Sequence, residues 1–102
     1  MAKTVNFNEK LDYADNPVLV VDTINVEVKT DAETVLLLIE CFSEGDDMKS
    51  ISKAINLLFD PKDVKKICSL KKNGKKLSAK SLIEIVKAAM DLAVGENDMG
   101  EQ

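Results

Sequence analysis

Between Ile24 and Phe42 the chain changes period. Ile24, Val26 and Val28 are apolar and Asn25, Glu27 and Lys29 polar, which is the alternation of a strand with one dry face. Thr30-Asp31-Ala32-Glu33 follows, a Thr with a Glu three residues on, and reads as a capping box opening a helix. That helix, over about Asp31 to Phe42, carries Val35, Leu36, Leu37, Leu38, Ile39, Cys41 and Phe42, with Glu33 and Glu40 as a narrow polar strip. A helix apolar over most of its circumference is covered by its own domain or by a partner.

The segments on either side supply candidates for that cover. Val5 and Phe7 alternate with Thr4, Asn6 and Asn8, and Leu11 and Tyr13 keep the odd-numbered phase, so residues 4–8 read as a short strand. Asp15-Asn16-Pro17 has the composition of a turn. Val18 to Val21 is a β-branched run, and Asp22-Thr23 marks a tight turn into the strand at Ile24. The N-terminal third is thus a meander of two or three strands, which needs a helix to pack against.

After the first helix, Ser43-Glu44-Gly45-Asp46-Asp47 is a break, with Gly45 suited to a helix end and Asp46 or Asp47 to the next cap. A second helix over about Met48 to Phe59 places Met48, Ile51, Ala54, Ile55, Leu58 and Phe59 on one face. Asp60-Pro61 opens a third, Asp as cap and Pro at the first helical position; Val64, Ile67 and Cys68 form its apolar face. Lys71 and Lys72 lie near the end of that helix, Asn73-Gly74 breaks it, and Lys75-Lys76 reads as loop. Ser78 caps a last helix, roughly Ala79 to Val94, with Leu82, Ile85, Val86, Ala89 and Ala93 as its stripe, Ile83, Met90 and Val94 on one flank, and Gly95 as its stop. The expected fold is α+β and mainly α-helical: a short N-terminal meander, then about four helices, in a single small domain over 1–95 with a polar, frayed tail over 96–102.

Composition narrows the chemistry. The 102 residues include no His, which excludes Ser-His and Cys-His nucleophile pairs. Cys41 and Cys68 are too few for a zinc site. They fall at apolar helical positions and read as buried reduced thiols rather than a disulfide. Asp46-Asp47, the one adjacent acidic pair, reads as a solvated cap. The four glycines are isolated, so there is no Gly-rich phosphate loop. No cofactor, metal ligand set or catalytic residue is indicated, and the reading is non-enzymatic. The N-terminal stretch MAKTVNFNEK has no apolar signal core, and no apolar run is long enough to span a bilayer, so a cytoplasmic location is expected.

Charge is unevenly spread. Residues 62–80 hold eight Lys and one acid, the rest of the chain six Lys and seventeen acids, and there is no Arg. Lys65, Lys66, Lys71, Lys72, Lys75 and Lys76 form a candidate basic patch. It could contact nucleic-acid phosphates or an acidic protein. The lack of Arg and of interleaved aromatics argues against base recognition, and the net charge of −4 against non-specific nucleic-acid binding. A solvated surface is the plain alternative. The broad apolar arcs of the first and last helices are the stronger functional feature. Most of their residues read as core, but a surplus remains, with Leu37, Cys41, Ile83, Met90 and Val94 as candidate protein-binding positions, for sister subunits or for an amphipathic client helix.

The order of parts, "FNEKLDY" in a β-rich start, then "INVEVKTDAETVLLLIECF", "ISKAINLLFDPKD" and "LSAKSLIEIVKAAMDLAVG", resembles the small tail assembly chaperones of long-tailed bacteriophages and related prophages. The likeness runs from about Phe7 to Gly95 and is one of pattern, size and acidic helical character. It implies a non-enzymatic role in the host cytoplasm: binding the tape measure protein, keeping its apolar helices soluble, and delivering it for tail tube assembly. It also implies a chaperone that is not retained in the virion and that often has a longer, frameshifted form that engages the tube protein. The family passes no catalytic residue to this chain, and the Lys-rich segment 62–80 matches none of its features.

Overall fold

The computed structural model describes residues 2–43, 45 and 47–95. Its elements are strands β1 (Val18–Val21) and β2 (Ile24–Glu27), helices α1 (Ala32–Phe42), α2 (Met48–Leu58) and α3 (Pro61–Cys68), strands β3 (Lys71–Lys72) and β4 (Lys75–Lys76), and helix α4 (Ala79–Val94). The fold is α+β and mainly helical. Its two antiparallel hairpins, β1–β2 and β3–β4, are separate two-stranded sheets.

The first hairpin pairs Val18 with Glu27, Leu19 with Val26, Val20 with Asn25 and Val21 with Ile24. Asp22 adopts a left-handed conformation, φ 55°, which Asp tolerates better than most residues in a tight turn. The inner face carries Leu19, Val21, Ile24 and the buried Val26, and Val28 continues it beyond the strand. The helices complete the core with that face. The core holds Val26, Val28, Leu38, Ala54, Leu58, Phe59, Ile67, Val86 and Ala89, so each helix contributes at least one residue. The main chain ties sheet to helices where Lys29 N–H donates to Leu58 O at 2.9 Å.

Local chemistry explains most boundaries. Asp47 caps α2, accepting from Ser50 N at 3.0 Å, and Ser78 caps α4 through Ser81 N at 3.2 Å. Gly95 closes α4 in the left-handed region at φ 74°, where a side chain is strained. Asp60 occupies the cap position of α3 ahead of Pro61, but its carboxylate makes no capping bond; it pairs instead with Lys29 at 3.1 Å.

Several expectations are corrected. Residues 4–8 are not a strand: the segment is exposed and tightens into a 3-10 turn at Asn8–Lys10. Asn6 Oδ1 takes the Asn8 N–H at 2.9 Å, a local bond that competes with a ladder, and no strand among the described residues offers one. The α1 cap is Asp31, not Thr30. The Asp31 carboxylate accepts from Thr34 N at 3.2 Å and from Thr34 Oγ1 at 2.7 Å, while Thr30 N–H goes to Asn16 Oδ1 at 3.2 Å. The second helix ends at Leu58, one residue short, and Phe59 turns extended yet stays fully buried.

Lys71–Lys72 and Lys75–Lys76 are neither helix end nor loop but the two arms of a hairpin, pairing Lys71 with Lys76 and Lys72 with Lys75. Asn73 and Gly74 both have positive φ, 56° and 75°, as the mirror-image two-residue hairpin turn requires. Met48, expected on the inward face of α2, is exposed. Cys68 is also exposed and Cys41 half-buried, both as free thiols. The cap assigned to Asp46, the Glu44 position and the tail over 96–102 lie outside the described residues.

Candidate functional site

Helix α1 is covered on one side only. Thr34 and Leu38, one turn apart, are its buried residues. Thr34 can be buried because Asp31 accepts its hydroxyl hydrogen, so no polar group is left unpaired. The other side carries Leu36, 67 % exposed, and Ile39, 61 % exposed, with Leu37 beside them at 40 %. Ala32, Leu36 and Ile39 fall at i, i+4 and i+7, which aligns them as one stripe along the helix. Glu33 and Glu40, both exposed, run along its edge. The result is an apolar stripe of about two turns with an acidic border, on a helix anchored to the core through Leu38.

The five positions expected to bind protein do not form one patch. Leu37 and Cys41 line an open cleft of about 500 Å³ between α1 and α2, with Glu40, Lys53, Asn56 and Leu57. Cys41 belongs there for a packing reason: its thiol donates to Ser50 O at 3.2 Å in the first turn of α2. Ile83 and Met90 line a smaller groove of about 170 Å³ with Phe42, Ile51, Val86 and Lys87, and Met90 is half-buried against the core. Val94 is exposed and borders a third hollow, about 580 Å³, between the N-terminal arm, the start of α1 and the end of α4. The flank of α4 is thus divided between packing and surface.

Leu36 and Ile39, the two most exposed apolar residues of α1, are missing from that set. An all-round apolar helix gives no internal sign of which side meets the core. The one available signal was Thr34, whose spacing to Leu38 marks the buried side once Asp31 is recognised as its partner.

The basic residues divide as well. Lys71, Lys72, Lys75 and Lys76 are exposed on the β3–β4 hairpin, beside a hollow of about 330 Å³ that Asp22, Leu70, Leu77, Ser78 and Ser81 also line. Lys65 and Lys66 are exposed on the last turn of α3. Lys72 lies 4.0 Å from the half-exposed Asp22, a loose surface pair that neutralises little, and Lys66 lies 4.0 Å from Asp63, whose side chain is buried at the start of α3. Like charges directly opposite across a hairpin repel, so the Asn73-Gly74 turn, rather than its flanking side chains, holds the hairpin.

Among the described residues, the acidities of Asp31 and Asp47 are shifted, and both are caps. The Thr34 hydroxyl and amide hold Asp31 below the usual carboxylate range, and the Ser50 amide does the same for Asp47. Among the described residues no group of three or more His, Cys, Asp or Glu is placed to hold a metal ion, and no helix is long and apolar enough to cross a membrane. Compared with known proteins, the chain matches no family, no curated protein and no solved structure.

Proposed function

We propose that this chain is a non-enzymatic binding module whose α1 holds an apolar helical segment of another protein, and that it serves a long-tailed phage or prophage as a tail assembly chaperone. The observation that carries the binding role is the exposure of Leu36 and Ile39 on a helix whose opposite side is locked into the core. An apolar stripe of that spacing fits the apolar side of an amphipathic helix laid along it. The acidic border of Glu33 and Glu40 favours a client with Lys or Arg beside its apolar positions. The same border disfavours packing two α1 helices together, since that brings like charges into contact. The phage context comes from the likeness in order of parts, size and acidic helical character. In this reading the client is the tape measure protein, the tail tube protein is a second partner, and the complex forms in the host cytoplasm.

The test is co-expression of a tape measure protein with the wild-type chain and with the double variant Leu36→Lys, Ile39→Lys. The wild type should co-purify with the client and raise its soluble fraction, and the variant should do neither while remaining folded. No co-purification with the wild type, or equal capture by both, removes the proposal.

A second reading belongs to a different class: the Lys hairpin as a contact for nucleic-acid phosphates. Its support is that Lys71, Lys72, Lys75 and Lys76 are held together on one exposed hairpin. It predicts a salt-sensitive gel shift that is lost when those four Lys become Glu.

A further inference from the structure

Among the described residues strand β1 has β2 on one side and an open edge on the other, and the geometry of that edge follows from one hydrogen bond. Val28 N–H donates to Pro17 O at 2.9 Å, so Pro17 and Val28 form a hydrogen-bonded pair in the antiparallel ladder. Directly opposed residues alternate between bonded and non-bonded pairs, so Leu19–Val26 and Val21–Ile24 are bonded and Val18–Glu27 and Val20–Asn25 are not. The N–H and C=O groups of Val18 and Val20 therefore point away from β2. No main-chain hydrogen bond from another described element reaches them. The edge of β2 is different, because that strand runs beside α3.

Native sheets blunt such edges with charge, proline, a bulge or a covering element. Val18-Leu19-Val20-Val21 carries no charge and no proline, and its register with β2 is unbroken. Pro17 precedes it but leaves the outward amides of Val18 and Val20 in place. The side chains of Val18 and Val20 are 60 % and 69 % exposed.

We propose that β1 pairs with β1 of a second copy, antiparallel about a twofold axis at Leu19, joining the two hairpins into a four-stranded sheet. In that register Val18 lies opposite the partner's Val20, and Val20 opposite the partner's Val18. Each pair exchanges both main-chain bonds through the groups now facing outward, and the symmetry makes the arrangement self-complementary. It sets β-branched side chains across from one another, a favourable cross-strand pairing, with no like charges opposed. A second copy fits this edge better than it fits α1, whose acidic border repels itself. Four-residue strands bury less than the ~1,200 Å² of a stable interface, so the dimer is weak and concentration-dependent. The proposal is independent of the client reading, because it uses a different element and needs no client.

Sedimentation of the full chain over a rising concentration series should show a monomer–dimer equilibrium. Val20→Pro deletes an outward N–H that β2 does not use, and Val20→Lys charges the edge. Each should return the chain to monomer with an unchanged far-UV spectrum, and Leu36→Lys should leave the dimer intact. In amide exchange, Val18 and Val20 should gain protection as concentration rises. In a background of Cys41→Ala and Cys68→Ser, Leu19→Cys should oxidise to a symmetric disulfide, since non-bonded antiparallel pairs sit within disulfide reach at about 4.5 Å between Cα atoms. A wild-type chain that stays monomeric throughout overturns the proposal, as does a dimer that survives Val20→Lys, which would place the interface elsewhere. Capture of a strand from another protein, with the chain itself monomeric, would overturn it in favour of a foreign occupant.

Discussion

Leu38 and Leu36 stand two residues apart on α1 and face opposite worlds: Leu38 is 3 % exposed and Leu36 is 67 % exposed. Leu38 ties the helix to the core, and Leu36 is the centre of the stripe left for a partner. The pair separates stability from binding. Leu38→Ala should cost about 2–5 kcal/mol, as for other buried leucines, and so reduce client binding only through unfolding. Leu36→Lys should stay within about 0.5 kcal/mol of wild type and lose the client. Denaturant titration beside a pull-down distinguishes them. If Leu36→Lys destabilises as much as Leu38→Ala, the stripe is core and not a binding surface.

Phe59 tests whether the core is organised as described. It lies beyond the end of α2, is extended, and is fully buried. Phe59→Ala should cost about 3–5 kcal/mol and lower the denaturation midpoint without changing the helical signature of what remains folded. A loss under 1 kcal/mol, well short of ~3–5, would show that the residue does not fill the centre.

The lysine hairpin should respond to charge and to its turn in opposite directions. Replacing Lys75 and Lys76 by Glu turns two opposed like-charge pairs into attractive ones, and should strengthen the hairpin by roughly 0.2–1 kcal/mol per pair. Gly74→Val places a β-branched residue at φ 75°, and should weaken it by roughly 1–2 kcal/mol. Cross-strand nuclear Overhauser effects between residues 71 and 76 report both. Unchanged contacts in Gly74→Val would mean that the turn does not hold the strands.

Acid should loosen α1 and α2 at their starts. The acidities of Asp31 and Asp47 are raised by the Thr34 and Ser50 bonds, so their pKa values are depressed on folding. The stability they contribute is fully present above the ordinary aspartate value, about 3.9, and is lost as pH falls through the depressed folded value. The melting temperature should therefore fall over that acid limb. Asp31→Ala should have a lower melting temperature at neutral pH and a shallower acid limb. An equal slope in wild type and variant would mean that the cap bond is not the source.

Much of the fold is written locally. The caps at Asp47 and Ser78, Pro61 at the first turn of α3 and Gly95 at the end of α4 each depend on bonds within about four residues, and each lies where the sequence places it. The candidate site is less legible. Leu37, Cys41, Ile83, Met90 and Val94 all lie on the expected helices, yet they open on three separate hollows, and the most exposed residues of α1 are others. The Asn73-Gly74 hairpin had a usable signal in its turn dipeptide. Its flanks gave none, because lysines on both arms lack the alternation that marks a strand.

The period of apolar positions and the capping residues point, by themselves, to an α+β chain with a short N-terminal β meander and about four helices, because those are interactions between near neighbours. Which side of α1 meets the core, that Cys68 faces outward and that, among the described residues, Val5 and Phe7 find no strand to pair with and β1 keeps a free edge were decided only in the tertiary structure. Burial and strand pairing belong to two surfaces at once, and one stretch of sequence specifies only its own.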